Sequence, residues 1–132
     1  MKQELLTVDV PNKNGRVYPR AIVEREVARI KRDFIAENRW IIAREQMETS
    51  TFDLRKAVAV GKDLFFEGDK LFVDVEILHQ LPFASEIEEG LKNGTLSVRT
   101  SGMGTLHEQK DGTYLVGEDW ELIHCFVTPN PA

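Results

Sequence analysis

Residues 70–78 of this 132-residue chain carry a period-two pattern. Leu71, Val73, Val75 and Ile77 are apolar, with Asp74 and Glu76 between them. Period-two alternation marks a strand with one buried and one wetted face. An apolar run at 63–66 precedes it across Glu67-Gly68-Asp69, which predicts a hairpin with the four apolar residues facing the core. The two carboxylates share the polar face. Paired acids can act as general acid and base, but a solvated strand explains them more simply.

Extended segments recur along the chain. Residues 3–10 read as a strand ended by a turn at 11–15, where Asn14-Gly15 favours positive φ. Arg16, Val17 and Tyr18 are short and extended before Pro19, which suits the first turn of a helix. The helix is predicted over 20–37, with Val23, Val27, Ile30 and Phe34 along one stripe, widened by Ile22 and Ile35. Glu24, Arg25, Arg29, Lys31 and Arg32 form its opposite face, read as solvated rather than partner-facing. Residues 40–43 make a short buried strand, 44–54 a loop, and 56–60 a strand that Gly61 stops. Pro82 opens a second helix through about Lys92, with Phe83 or Ala84, Ile87 and Leu91 on one side and Asn93-Gly94 as a left-handed cap.

Residues 94–104 then run from an alternating strand into a small-residue turn at 101–104. A hairpin at 104–109 and 113–116 folds over Lys110-Asp111-Gly112, and 119–127 is the last strand. Two prolines in 128–132 argue against regular ladder pairing in the tail. The chain reads as a single α+β domain over 1–132. Two helices accompany six to eight mostly antiparallel strands in a small closed or nearly closed barrel.

Composition excludes several function classes. The net charge is −5, with acidic and basic residues interspersed, so no basic block marks a nucleic-acid footprint. The single cysteine, Cys125, leaves no intramolecular disulfide and no cysteine-clustered zinc site. No signal-peptide pattern and no stretch of membrane-spanning length is present, so the chain is expected to be made in a cytoplasm and stay soluble. Metal-ligand spacings and phosphate loops are missing, and no cofactor is expected.

Chemistry, if present, centres on residues 94–104. Hydroxyls beside glycines at a strand end suit a nucleophile with a backbone-amide oxyanion hole. The candidate nucleophiles are Ser97 and Ser101, with Cys125 in the last strand, and the candidate bases are His107 and His124. His124 and Cys125 are sequence neighbours in a strand and should point to opposite faces, which argues against a dyad. His79 follows the hairpin strand. All three histidines read as structural or surface residues.

Three stretches together resemble the capsid maturation (prohead) proteases of tailed phages, whose fold is similar to herpesvirus assemblin. Residues 12–19, Asn-Lys-Asn-Gly-Arg-Val-Tyr-Pro, look like that family's N-terminal signature Asn-x-Asn-Gly-Arg-x-Tyr-Pro. Residues 75–104 are similar to its strand, helix and nucleophile segment, Leu-Gly-Val-Ser-Ser-Arg-Gly-x-Gly. The ending from Val127 to Ala132 is like its Asp-x-Val-x-x-Pro-Ser terminus.

The departures fall on the catalytic positions that the resemblance implies. Glu48 stands where the histidine is expected, Arg99 and Thr100 where two serines are expected, and Cys125 within one residue of the acidic member. Glutamate is a far weaker base than imidazole near neutral pH, and arginine is no nucleophile. The resemblance therefore implies a protease fold without its triad. The expected protein is a phage structural component that binds the major capsid protein or another head protein. It would act as a decoration, cement or head-assembly factor, in several copies, in a virion assembled in the host cytoplasm. An ion pair between Glu48 and Arg99 would plug the former site. The alternative is an active endopeptidase with a rearranged site, cleaving capsid or scaffold precursors.

Overall fold

The computed structural model describes residues 1–47 and 53–130. Among these the order is β1 (Lys2–Thr7), β2 (Arg16–Val17), α1 (Arg20–Asp33), β3 (Ile41–Ala43), β4 (Ala57–Glu67), β5 (Lys70–Ile77), α2 (Ala84–Asn93), β6 (Leu96–Met103), β7 (Leu106–Glu108), β8 (Tyr114–Val116) and β9 (Glu121–Pro129). Six strands form one sheet in the order β1-β5-β4-β3-β9-β6, and β2-β8-β7 form a small second sheet. Among the described residues only β3–β9 and β2–β8 pair in parallel. The end strand β1 also comes back against β6, so the large sheet curls into a nearly closed barrel. The expected α+β architecture is what the chain adopts.

The β4–β5 hairpin forms as its alternation dictates, with Leu71, Val73, Val75 and Ile77 buried. Glu76 lies on the wet side in an ion pair with Lys62, 3.6 Å away. Gly61 was expected to end a strand and instead lies inside the continuous β4, where the ladder bulges between Gly61 and Asp63. A Cβ at Gly61 would come within 2.6 Å of Trp40 Cε3, so the glycine makes room for the indole rather than for a turn.

Residues 101–103 are likewise strand, not turn. Pairing with β9 runs on through Met103, with a bulge between Ser101 and Gly102. Gly102 and Gly104 pack beneath Trp120: a Cβ at Gly104 would lie 2.6 Å from Trp120 Cα, and one at Gly102 would overlap Trp120 Nε1. At the other end β6 pairs with β9 as far as Leu96 opposite Pro129, so the tail does join the ladder. The missing proline N–H falls at the strand's last residue, and Asn130 N–H resumes bonding to Thr95 O at 2.8 Å.

Smaller boundary differences have local causes. β1 ends at Thr7 rather than residue 10 because Asp9 takes φ 65° and turns the chain. α1 stops at Asp33, and a short 3-10 turn, Ile35–Glu37, carries the pattern to Asn38 at φ 60°. Gly94 at φ 83° caps α2 as the sequence requires.

The 12–19 motif has a structural purpose. Asn12 Oδ1 accepts from the N–H groups of Asn14 and Arg16, each at 2.9 Å. That closed loop sets β2 beside β8, and Tyr18 then meets Trp120 edge to face, with centroids 5.4 Å apart. Pro19 starts α1 directly afterwards.

α1 buries Val23, Val27 and Ile30, and with them Glu26, only 3% exposed. Glu26 Oε1 accepts from Leu122 N–H at 2.9 Å and Arg29 Nη2 at 2.8 Å, and Oε2 accepts from Arg25 Nε at 3.2 Å. Arg25 also donates to the carbonyls of Glu118 (2.7 Å) and Trp120 (2.6 Å), and Arg29 to that of Leu122 (2.7 Å). Two arginines expected in solvent thus fasten the helix to the approach of β9. Burial pushes the Glu26 carboxyl up, but the hydrogen bonds from Arg29, Leu122 N–H and Arg25 and the Arg29 charge outweigh it, leaving Glu26 below the ordinary carboxylate value. Its stabilisation is therefore present at neutral pH and lost as pH falls through that lowered value. Replacing Glu26 by Ala strands the Leu122 N–H and leaves both guanidiniums with their carbonyl acceptors but no carboxylate, and is expected to cost about 3 kcal/mol in urea unfolding at pH 7.

Candidate functional site

The β6–β9 ladder decides which candidate residues meet. Residues opposite each other in an antiparallel pair share a face, and faces alternate along the strand. Val98 stands across from Val127 and Thr100 from Cys125, and the buried Val98, Cys125 and Val127 all belong to the main core. Ser97, Arg99 and Ser101 stand across from Thr128, Phe126 and His124 on the other, outer face. The parallel pairing of β3 continues this division. Ile42 aligns with Cys125 in the core, and Ala43 aligns with Phe126 outside. Phe126, Ala43 and Met47 form a small apolar cluster of their own.

The loop after β3 is pinned at both described ends. Arg44 N–H donates to Lys56 O at 2.7 Å, and Asp53 N–H meets Met47 Sδ at 3.3 Å. Asp53 caps the 3-10 turn Leu54–Lys56. Glu48 lies outside the described residues, and so does any pairing of it with Arg99.

Cys125 is fully buried, and burial pushes its thiol far above the ordinary range. Such a sulfur is a core side chain without thiolate character. His124 and Cys125 point to opposite faces of β9, as their adjacency required. His124 is 4% exposed, stands directly across from Ser101, and packs beside Phe126 with ring centroids 6.0 Å apart. Neither of its ring nitrogens has a hydrogen-bond partner among the described residues, and the same holds for the buried Ser97 Oγ. Ser101 and His124 are therefore cross-strand neighbours that make no hydrogen bond to each other.

The remaining histidines stand elsewhere. His107 sits exposed on β7 in the small sheet, beside Gly117 and near Asp119. His79 is exposed and meets Glu88 at 2.9 Å. Among the described residues no three His, Cys, Asp or Glu side chains are grouped as metal ligands. The Glu26 clamp was not anticipated from sequence. Its signal was there in the Arg25, Glu26, Arg29 spacing, but such a cluster reads the same on a solvated helix.

In sequence, no protein-family model and no curated protein matches the chain. In structure, it superposes on the bacteriophage T4 capsid assembly protease, gp21, with a TM-score of 0.83. The match covers 96% of this chain and 79% of that one at 18% identity. The chain has a prohead-protease fold. Within that fold the outer face of β6 and β9 carries the hydroxyls, the arginine and the buried imidazole, and the inner face is apolar core apart from Cys125 and Thr100.

Desolvation lowers the pKa of His124 below its ordinary 6.5. The unfolded chain thus takes up a proton below about pH 6.5 that the folded chain does not. Stability is complete above that pH and falls as acid is added, with a slope of at most about 1.4 kcal/mol per pH unit from this residue. Denaturant melts between pH 7.5 and 5.5 should show a smaller acid loss in His124→Leu than in the native protein.

Proposed function

We propose that the chain is a non-catalytic phage head protein, derived from a prohead protease and bound to the major capsid protein or another head component as a decoration, cement or assembly factor. The observation that carries this reading is Arg99 in the middle of β6. The fold matches a capsid assembly protease over nearly the whole chain, yet the strand position at which the family resemblance expects a serine holds a guanidinium. Cys125, facing the core, offers no replacement acid or nucleophile. Docking in several copies on a shell lattice suits a barrel whose exterior carries both charges.

One observation favours a second reading, an endopeptidase with a rearranged site. Ser101 stands across from His124, the strand geometry that would place a hydroxyl near a base. Against it, His124 is already deeply buried and its second nitrogen lacks an orienting acceptor among the described residues. Incubation of the purified protein with capsid and scaffold precursors separates the readings. No cleavage is expected over hours; cleavage that disappears in Ser101→Ala would establish the enzyme instead. Mass spectrometry of purified proheads and virions should find the protein in at least one of them, and absence from both would end the head-protein reading.

A further inference from the structure

The small sheet ends in an open edge. β7 closes the order β2-β8-β7, and residues 102–112 are exposed throughout. The end strands of the large sheet, β1 and β6, instead come together. Register decides which backbone groups of β7 are available. Gly117 N–H donates to Thr105 O and Gln109 N–H to Thr113 O, each at 2.8 Å, with His107 opposite Leu115 between them. Antiparallel bonding alternates, so residues 105, 107 and 109 turn their backbone groups to β8. Leu106 and Glu108 therefore turn an N–H and a C=O each away from the sheet, into solvent. Natural edges are blunted by proline, lysine or a bulge. β7 reads Leu-His-Glu in unbroken register, and only its shortness protects it.

Charge and exposed apolar surface select the occupant. Leu106 and Glu108 share one face, and Tyr114 stands beside Glu108 across the ladder. Leu106 is 39% and Tyr114 38% exposed. In residues 104–121 the acids Glu108, Asp111, Glu118, Asp119 and Glu121 face one base, Lys110, which leaves −4 of the chain's net −5 in this segment. Across the groove that borders Glu118 and Glu121, Arg25 and Arg29 share Glu26, and Arg32 pairs with Asp33. The facing helix thus returns only one net positive charge, and Arg16 stands on β2, beyond β8. Two such edges would bring like charge together, which disfavours a second copy and favours a basic strand.

We propose that β7 accepts an extended segment of a partner protein as an antiparallel fourth strand. The segment carries a basic residue opposite Glu108 and, two residues later, an apolar residue opposite Leu106. Main-chain bonds give the attachment and the two side chains give the selectivity. β7 lies outside the β6–β9 ladder, so the edge is the same for a head protein and for a protease.

The test is an NMR titration of the full chain with the acetylated, amidated pentapeptide Thr-Lys-Thr-Val-Thr. Saturable amide shifts centred on residues 105–109 are expected, with hydrogen exchange slowed most at Leu106 and Glu108. Glutamate in place of the peptide's lysine should weaken binding roughly fivefold, and Glu108→Lys in the protein should reverse that preference. N-methylation of the peptide's lysine and valine removes the N–H groups that face β7 and should abolish binding. Leu106→Pro removes an outward N–H without touching a bond to β8 and should do the same. If that variant does not fold, the N-methylated peptide on the native protein decides. Undiminished binding of the N-methylated peptide, shifts centred on residues 118–121, or no saturable shift at millimolar peptide would overturn the proposal. So would a dimer in sedimentation velocity that Leu106→Pro dissociates, because a second copy would then fill the edge.

Discussion

The buried Glu26 carboxylate is the interaction on which the arrangement of helix and barrel depends. A carboxylate cannot remain charged out of water unless its oxygens are occupied, and here two arginines and a backbone N–H occupy them. The same arginines reach the carbonyls of Glu118, Trp120 and Leu122, on the segment leading into β9. One side chain therefore orients α1, closes the backbone bonding of a strand start, and holds the strand that carries His124. Hydrophobic burial of Val23, Val27 and Ile30 turns the apolar stripe of the helix to the core without fixing its position along its axis. The directional bonds of Glu26 supply that specification.

A second constraint is aromatic bulk set against absent side chains. Trp40 fills the space left by Gly61, and Trp120 covers Gly102 and Gly104. Gly61 and Gly102 belong to strands and Gly104 directly follows β6, and each allows close approach, so the barrel can curl around large rings. The 12–19 motif feeds into the same packing through Tyr18 on Trp120. Its hydrogen bonds go to its own loop, to Asp9, to Tyr114 and to the first turn of α1. A motif with this role serves the fold whether or not the outer face of β6 retains any reaction. That separation lets the scaffold form independently of any reaction on that face.

The two faces of β9 illustrate how little sequence distance means for a site. His124 and Cys125 are adjacent, yet one belongs to the outer face with Ser101 and Arg99 and the other to the dry core with Ile42 and Thr100. Burial acts on both, lowering the histidine and raising the thiol, and in both it disfavours the charged form. The pair is neutral for the same reason that it is not a dyad.

Much of the architecture was legible in the residues. The period-two run in β5, the helical stripe of α1, the left-handed cap at Gly94 and the opposed faces of His124 and Cys125 follow from backbone geometry and burial alone, and the motif at 12–19 pointed to the fold family. What local pattern could not decide was any outcome set by a distant partner. Gly61 and Gly102 read as breakers because their tryptophans come from other elements. Arg25 and Arg29 read as solvated because their carbonyl acceptors lie more than ninety residues away. The sharing of one face by Ser97, Arg99, Ser101 and His124 required the β6–β9 register, which only the closed sheet supplies. The sequence by itself determined most of the elements and the core face; tertiary packing decided which polar groups meet, because a hydrogen bond between remote residues has no periodicity to announce it.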